Sequence, residues 1–554
     1  MPPQNDPGPL IVQSDMTVLL EVGHHSASAA RRAVAAFAEL ERAPEHIHTY
    51  RITPLGLWNA RAAGYDAEFV VDALLTHSRY PVPHSLLVEI TETMSRYGRL
   101  RLEKDPVHGL LLRSEEPEIL AEVRYAAGLE QLLGPDVDPT GIIVHEHARG
   151  DIKQELVRLG WPAEDFAGFV EGTPHPLALE EREWSLRPYQ REAVDNFWAA
   201  GSGVVVLPCG AGKTLVGAAA MALSSSSTLI LVNSTVSARQ WKDELLRRTT
   251  LSEEEIGEYS GDRKEIRPVT IATYQVLAVR RGEFHPHMEL VSGHDWGLII
   301  YDEVHLLPAP VFRMTAQIQA RRRLGLTATL VREDGREREV FSLIGPKRYD
   351  APWKQMEAQG WIAPAQCLEI RVDAPRGERL AYAAASDRAK HRLAAGSEIK
   401  DDVVERLVAR HQHRAESILV IGQFVDQLER LGERLGAPVL SGSTPIAQRQ
   451  RRFEEFRAGE LRVLVVSKIA NFSVDLPQAS VAIQVSGTFG SRQEEAQRLG
   501  RLLRPSPESG EGKRAHFYTV VTRDTVDMEY AAKRQRFLAE QGYGYTILDE
   551  TDIV

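Results

Sequence analysis

The sequence predicts an α/β protein with two tandem parallel-sheet domains, preceded by smaller helical and α+β domains. Short β-branched runs at 204–207, 228–232, 269–272 and 297–301 alternate with helical segments, which is the texture of βαβ units. The same texture returns later in "SILVIG", "LRVLVVS", "ASVAIQVS" and "AHFYTVVT". The chain has 554 residues, more than one core holds, since domains settle near roughly 100 to 200 residues.

Taken in order, residues 26–75 carry Ala- and Leu-rich patterns of helical period such as "SASAARRAVAAFAELERA", with Ser26 and Ser28 as candidate caps. A helical domain is expected over 1–78. Over 79–170 helical and strand-like runs alternate ("HSLLVEITETMSRYG", "LRLEK", "GLLLRS", "GIIVHE"), which predicts a compact α+β domain. The segment 171–184 mixes Gly, Pro and charge without a period and reads as a linker. The first parallel-sheet domain is expected over 185–370 and the second over 401–554. A helical connector between them is expected over 371–400.

Composition excludes several classes. Hydrophobic residues make up 43% and charged residues 26%, the balance of a soluble globular chain. With 66 Lys and Arg against 77 Asp and Glu, the formal charge is -11, so nucleic acid would have to be held by local basic patches. Two cysteines, Cys209 and Cys367, support neither a disulfide framework nor a zinc site. The N-terminal stretch lacks a basic region followed by a long apolar run, and no run is long enough to span a bilayer. A cytoplasmic protein without a membrane partner is expected.

The chemistry begins at "LPCGAGKT", 207–214. Leu207 stands where the phosphate-loop pattern G-x-x-x-x-G-K-[ST] has its first glycine. Gly210 and Gly212 still permit close backbone approach. Lys213 can reach β and γ phosphates, and Thr214 can ligate Mg²⁺ at the positive end of the helix it starts. The run "LIIYDEVH" delivers Asp302 and Glu303 at the C-terminal end of an apolar strand, where α/β sheets bind ligands. Asp302 suits the Mg²⁺ shell, and Glu303 suits orienting or deprotonating a water, the division of labour nucleotide hydrolysis requires. His305 alone has the chemistry of a packed histidine. In "QRLGRLLR", Gln497, Arg501 and Arg504 fall at i, i+4 and i+7 on one helical face. A guanidinium supplied from a second domain can stabilise γ-phosphate charge, so the pair of domains reads as an ATP-driven motor whose load is a polynucleotide.

In wording and order these motifs resemble the superfamily 2 helicases, and within them the XPB family of DNA helicases. "LRPYQREAV" resembles the adenine-reading motif, "LPCGAGKT" motif I, "DEVH" motif II, and "LTATLVRED" motif III running into the RED element. "ILVIGQFVDQLERL", "VSKIANFSVDLPQASVAIQVSG" and "GSRQEEAQRLGRLLRP" resemble motifs IV, V and VI. "PLIVQSD", "TVLLEV" and "PEHIHTYRITPLGLWNA" resemble the N-terminal region of the prokaryotic type. The position of 79–170 is that of the family's damage-recognition domain, and 371–400 is where its thumb insertion would fall in reduced form.

The resemblance implies two RecA-like domains and an ATP- and Mg²⁺-dependent DNA helicase of 3′ to 5′ polarity acting in DNA repair. It implies that Arg187 and Gln190 contact the adenine end, and that Pro208, Cys209, Gly210, Ala211, Gly212, Lys213 and Thr214 wrap the phosphates. Asp302 and Glu303 carry metal binding and water activation. Gln497, Arg501 and Arg504 act from motif VI, the two arginines as fingers. His305 couples the site to motif III with Thr327 and Thr329. Asp475 of motif V is expected beside nucleotide and moving strand, and Arg332, Glu333 and Asp334 near the duplex junction. Single-stranded DNA, a duplex junction and a nuclease or repair protein are the partners implied. Motif V departs from many helicases in having Ser473 and Val474 where glycine is usual.

Two other readings stay open on the motifs. A duplex translocase would use the same cleft closure without separating strands. A DNA-binding or annealing scaffold would need only a regulatory nucleotide site, and the joint presence of Lys213, Asp302, Glu303 and the arginines argues against it. "HEH" (145–147) and "HQH" (411–413) lack metal-site spacing, and "QRQRR" (448–452) and "KRQR" (533–536) read as solvated helix faces.

Overall fold

The computed structural model describes the chain apart from residues 1–7, 146–147, 167–171, 183, 209, 282–284, 305–314, 316–317, 319, 329–336, 352, 360–363, 414–415, 468–478, 487–514, 542 and 554. Two compact units emerge: Met1–Glu41, His46–Leu207 and Gly212–Asp350 form one, and Ala351–Val554 with the short segments Arg42–Glu45 and Pro208–Ala211 form the other.

The first unit is built on a seven-stranded parallel sheet. Its strands run in the order Ile256–Tyr259, Val269–Thr273, Thr228–Val232, Trp296–Asp302, Ala320–Thr327, Ser202–Val206, Lys347–Asp350. The four β-branched runs read from the sequence are all members. Strands buried on both faces need continuous apolar runs, and Leu298, Ile299 and Ile300 are each 0% exposed. The basic run "RRR" at 321–323 lies inside a strand, with Arg321 exposed, Arg322 half-buried and Arg323 buried. Arg322 stacks on Trp198, and buried Arg323 donates to the Tyr301 hydroxyl at 2.7 Å and to Ile318 O at 2.6 Å.

The N-terminal region corrects one expectation. Residues 1–78 are more than helical: Leu10–Val12, Thr17–Glu21, Ile47–Ile52 and Ala38–Arg42 form a four-stranded sheet. Alanine-rich patterning sets the helix Ala27–Val34 correctly but also runs into the strand Ala38–Arg42, where alternate residues face the core. Ser26 occupies the N-cap position without capping, its hydroxyl being paired with His24 Nδ1 at 2.9 Å. Ser28 sits inside the helix and accepts from Arg32. Between Leu100 and Asp165 a five-stranded sheet carries its own helices, an α+β arrangement as expected.

Both N-terminal modules join the large sheet of their unit. Trp58, Leu55, Val157 and Phe341 form one apolar cluster. The Lys347 N–H donates to Asn59 Oδ1 at 2.9 Å, and Arg348 Nη1 donates to Ala62 O at 2.9 Å. Arg348 Nε also donates to Ser202 O at 3.0 Å, so one side chain ties the first module to the strand that leads into the glycine-rich loop.

The second unit repeats the architecture, with parallel strands ordered Val439–Leu440, Val463–Ser467, Ile418–Gly422, Val481–Gln484, Ala515–Thr522, Ala365–Val372, Tyr545–Asp549. This moves the expected boundary at 370. Ala365–Val372 pairs in parallel with Ala515–Thr522 along its whole length, so it is an interior strand of the second sheet. The stretch 371–400 is likewise no free connector. Its helix Asp387–Ala395 packs on the helix Val526–Glu540, and Tyr382 Oη accepts from Val526 N at 2.9 Å. In "KRQR", Arg534 is buried and Gln535 donates to Glu369 at 2.5 Å, which corrects the solvated-face reading for those two residues. His411 of "HQH" is fully buried between the Glu416 carboxylate (2.5 Å) and the Tyr518 hydroxyl (2.9 Å).

Burial lowers the pKa of His48, on the strand Ile47–Ile52, to about 4, with Arg31 adding to the effect. A histidine held neutral stabilises the fold above its unfolded pKa near 6.5, and that contribution is lost as pH falls toward 4, at roughly 1.4 kcal/mol per pH unit. Hydrogen-exchange protection of Ile47–Ile52 should therefore fall between pH 6.5 and 4.5, and His48→Gln should flatten that dependence.

Candidate active site

The glycine-rich loop follows the strand Ser202–Val206 and opens the helix Lys213–Ser224, as a phosphate cradle requires. Gly210 (φ 83°) and Gly212 (φ 79°) lie in the left-handed region, which glycine adopts without strain. Leu207 explains the missing first glycine: it is fully buried, and its N–H donates to Thr327 O at 2.9 Å, continuing the ladder between adjacent strands. Thr327, itself buried, thus stands beside the start of the loop.

Gly212 occupies the N-cap position and, having no side chain, cannot cap the helix, so the positive end of the helix Lys213–Ser224 opens directly onto the loop. The same glycine faces Gln190, whose side-chain nitrogen would lie 2.4 Å from a Cβ there. Gln190 is 2% exposed and accepts the Arg187 N–H on Oε1 at 2.9 Å. Arg187 in turn donates to the Tyr189 hydroxyl at 3.2 Å. The two residues expected at the adenine end are therefore bonded to each other and, through Gln190, seated against the loop.

Lys213 Nζ forms an ion pair with Glu303 Oε1 at 3.0 Å. Glu303 sits at φ 49°, a left-handed conformation that costs a non-glycine residue roughly 1 to 2 kcal/mol. Asp302 precedes it at the end of the buried strand Trp296–Asp302. Burial first and the Glu303 charge second push the Asp302 carboxyl up to about 6, while Lys213 and a hydrogen bond from Trp241 pull it down. Trp241 Nε1 donates to Asp302 Oδ2 at 2.9 Å, and the Tyr274 hydroxyl donates to Asp302 O at 3.0 Å. Burial and the neighbouring carboxylate raise the Tyr274 hydroxyl well above its usual range, keeping it a donor.

Of the expected site residues, Arg187, Gln190, Pro208, Gly210, Ala211, Gly212, Lys213, Thr214, Asp302, Glu303 and Thr327 are described, and Lys213, Asp302 and Glu303 converge. Cys209, His305, Thr329, Arg332, Glu333, Asp334, Asp475, Gln497, Arg501 and Arg504 lie outside the described residues. Sequence reasoning missed Trp241 and Tyr274, which belong to no motif read above. Their signal, a single aromatic residue in an otherwise ordinary amphipathic segment, is shared by any core residue.

A chain with this site and two parallel sheets can be compared with known proteins. It is 67% identical over 546 residues to a protein of Kineococcus radiotolerans named DNA 3′-5′ helicase XPB, covering 99% of this chain and 97% of that one. A Mycobacterium tuberculosis protein of the same name is 63% identical, with 99% of both chains covered. The chain belongs to the XPB family of DNA helicases. The ERCC3/RAD25/XPB C-terminal helicase family matches residues 356–554, and the res subunit of type III restriction enzymes matches 183–332. A family described as a helicase conserved C-terminal domain matches residues 10–138, the region of the two small N-terminal sheets. A Saccharomyces cerevisiae protein named as a helicase/translocase subunit of the general transcription and DNA repair factor IIH is 31% identical, covering 97% of this chain and 72% of that one. The resemblance read from the motifs is thus borne out. ATP use follows from the family. The groups present suit ATP and Mg²⁺: an ammonium and a helix N-terminus for phosphate, and hard oxygen atoms on Thr214 and Asp302 for the cation.

Gly212→Ala should weaken binding of a fluorescent ATP analogue roughly tenfold, because it adds left-handed strain and a clash with Gln190.

Proposed function

We propose that the chain is an ATP-driven DNA helicase of 3′ to 5′ polarity that acts in DNA repair. The observation that carries this is the convergence of Lys213, Asp302 and Glu303 at the C-terminal end of the first sheet, where Lys213 and Glu303 meet at 3.0 Å. Bound ATP with Mg²⁺ supplies a γ-phosphoryl group whose cleavage releases the free energy for movement.

In this reading Lys213 turns from Glu303 toward the β and γ phosphates, beside the amides that follow Gly212. That exchange frees the Glu303 carboxylate to orient a water for in-line attack and to accept its proton. Thr214 and Asp302 would hold Mg²⁺, and Arg187 and Gln190 would take the adenine end while Gln190 keeps the loop in place. Pro208, Cys209 and Ala211 complete the loop backbone. Gln497, Arg501 and Arg504 would act from motif VI on transition-state charge, and Asp475 of motif V would contribute to nucleotide binding. His305, Thr327 and Thr329 relay nucleotide state, and Arg332, Glu333 and Asp334 meet the duplex junction.

DNA is the partner, as single strand and junction, and a nuclease or repair protein is expected beside it. The expected location is the cytoplasm, with the nucleoid. Among the described residues no helix is long and apolar enough to cross a membrane. The name of the yeast relative, helicase/translocase subunit, favours a second reading in which the motor tracks along duplex DNA and separates strands weakly.

Lys213→Ala and Glu303→Gln should each lower DNA-stimulated phosphate release by at least about 100-fold. Strand displacement should proceed on 3′-tailed duplexes and fail on 5′-tailed ones. ATP-dependent triplex displacement without strand release would establish the translocase instead, and phosphate release that survives Lys213→Ala would refute an ATPase at this loop.

A further inference from the structure

Trp241 lies in the helix Thr235–Arg248 and is 2% exposed. Its only polar atom donates to Asp302 Oδ2 at 2.9 Å. The facing helix, Lys213–Ser224, makes room for the ring at Gly217, where a Cβ would lie 2.5 Å from the indole edge. A buried indole N–H needs one acceptor, and a backbone carbonyl usually serves: Trp296 Nε1 donates to Val291 O at 2.8 Å. Trp241 instead spends its single donor on a buried carboxylate at the end of the central strand.

An indole donates once and accepts nothing, so it occupies one lone-pair direction of a group that has about four. The backbone of Glu303 supplies a second hydrogen bond, and a carboxylate with two donors still has lone pairs to offer a cation. With the Asp302 main-chain oxygen held by the Tyr274 hydroxyl at 3.0 Å, both ends of the residue are fixed from outside the motif. Ligands oriented by a second ring of hydrogen bonds bind metal more tightly, commonly by 10-fold or more.

We propose that Trp241 is a positioning residue for Mg²⁺: it fixes the Asp302 carboxylate in its cation-accepting orientation and so sets how strongly Mg²⁺ enhances nucleotide binding. The inference rests on the reading of Asp302 as a Mg²⁺ ligand. Because Gly217 belongs to the helix that Lys213 begins, the indole also keys the spacing between the phosphate-binding helix and the carboxylate strand.

The test measures affinity for a fluorescent ATP analogue in excess Mg²⁺ and in EDTA. Trp241→Phe keeps a ring against Gly217 and removes the donor. It should reduce the Mg²⁺-dependent gain in affinity roughly tenfold, leave affinity in EDTA within about twofold, and raise the Mg²⁺ concentration for half-maximal ATP hydrolysis by a similar factor to the first. Equal losses with and without Mg²⁺, or an unchanged Mg²⁺ response, would overturn the proposal. Should Trp241→Phe fail to fold, β-(3-benzothienyl)alanine at position 241 preserves the indole shape without the N–H and must give the same shift; a normal Mg²⁺ response from it overturns the proposal. Asp302→Asn is run alongside. If it keeps the full Mg²⁺ enhancement, the assignment of Asp302 as ligand has failed, a result distinct from failure at Trp241 alone.

Discussion

Two adjacent carboxylates at the end of a buried strand, with one ammonium between them and the phosphate loop, constrain everything else in the first unit. Asp302 and Glu303 repel each other where water is scarce, and Lys213, 3.0 Å from Glu303, offsets part of that cost. In the proposed reading a nucleotide would compete with Glu303 for the same ammonium, and a divalent cation would relieve the repulsion at Asp302. The left-handed backbone at Glu303 adds a local cost that the surrounding sheet sustains.

That charge arrangement explains the steric details around it. The loop must approach phosphate closely, which left-handed Gly210 and Gly212 allow. The glutamine seated against Gly212 is itself oriented by the Arg187 N–H. Leu207 can replace the usual first glycine because the chain there still belongs to the sheet and needs no unusual conformation. Packing and chemistry share residues: Gly217 admits the Trp241 ring, and that ring reaches Asp302.

Much of this was legible in the sequence because parallel strands are written as continuous apolar runs and phosphate loops as glycines with fixed neighbours. The strand 297–301, Lys213, Asp302 and Glu303 needed no tertiary information. Three features did. Ala38–Arg42 is a half-buried strand whose alternation is masked by the alanines before it. Ala365–Val372 ("AQCLEIRV") places Gln, Glu and Arg among its apolar residues, so it does not announce an interior strand, and only pairing with Ala515–Thr522 assigns it to the second sheet. Arg323 stands in the basic run 321–323, yet buries its guanidinium among the Tyr301 hydroxyl and main-chain oxygens. Long-range hydrogen bonds leave no local period. The indole donor on Asp302 was invisible for the same reason, since it joins positions 61 residues apart.

The N-terminal modules belong to the frame of the site. Asn59 and Ala62 hold Lys347 and Arg348, and Arg348 reaches Ser202, the first residue of the strand that ends at the phosphate loop. On the other side of that strand, Leu207 is bonded to Thr327. The loop is thus braced through two neighbouring strands, one of which is tied to the first module by backbone and guanidinium bonds. Contact continuity by itself carries no signal, because coupling requires an element with two arrangements. Its sure effect is rigidity: a cradle whose amides must meet phosphate with little reorganisation gains from strands that cannot slide. Asn59 and Ala62 thus fasten the edge strand Lys347–Asp350 beside the strand that leads into the glycine-rich loop.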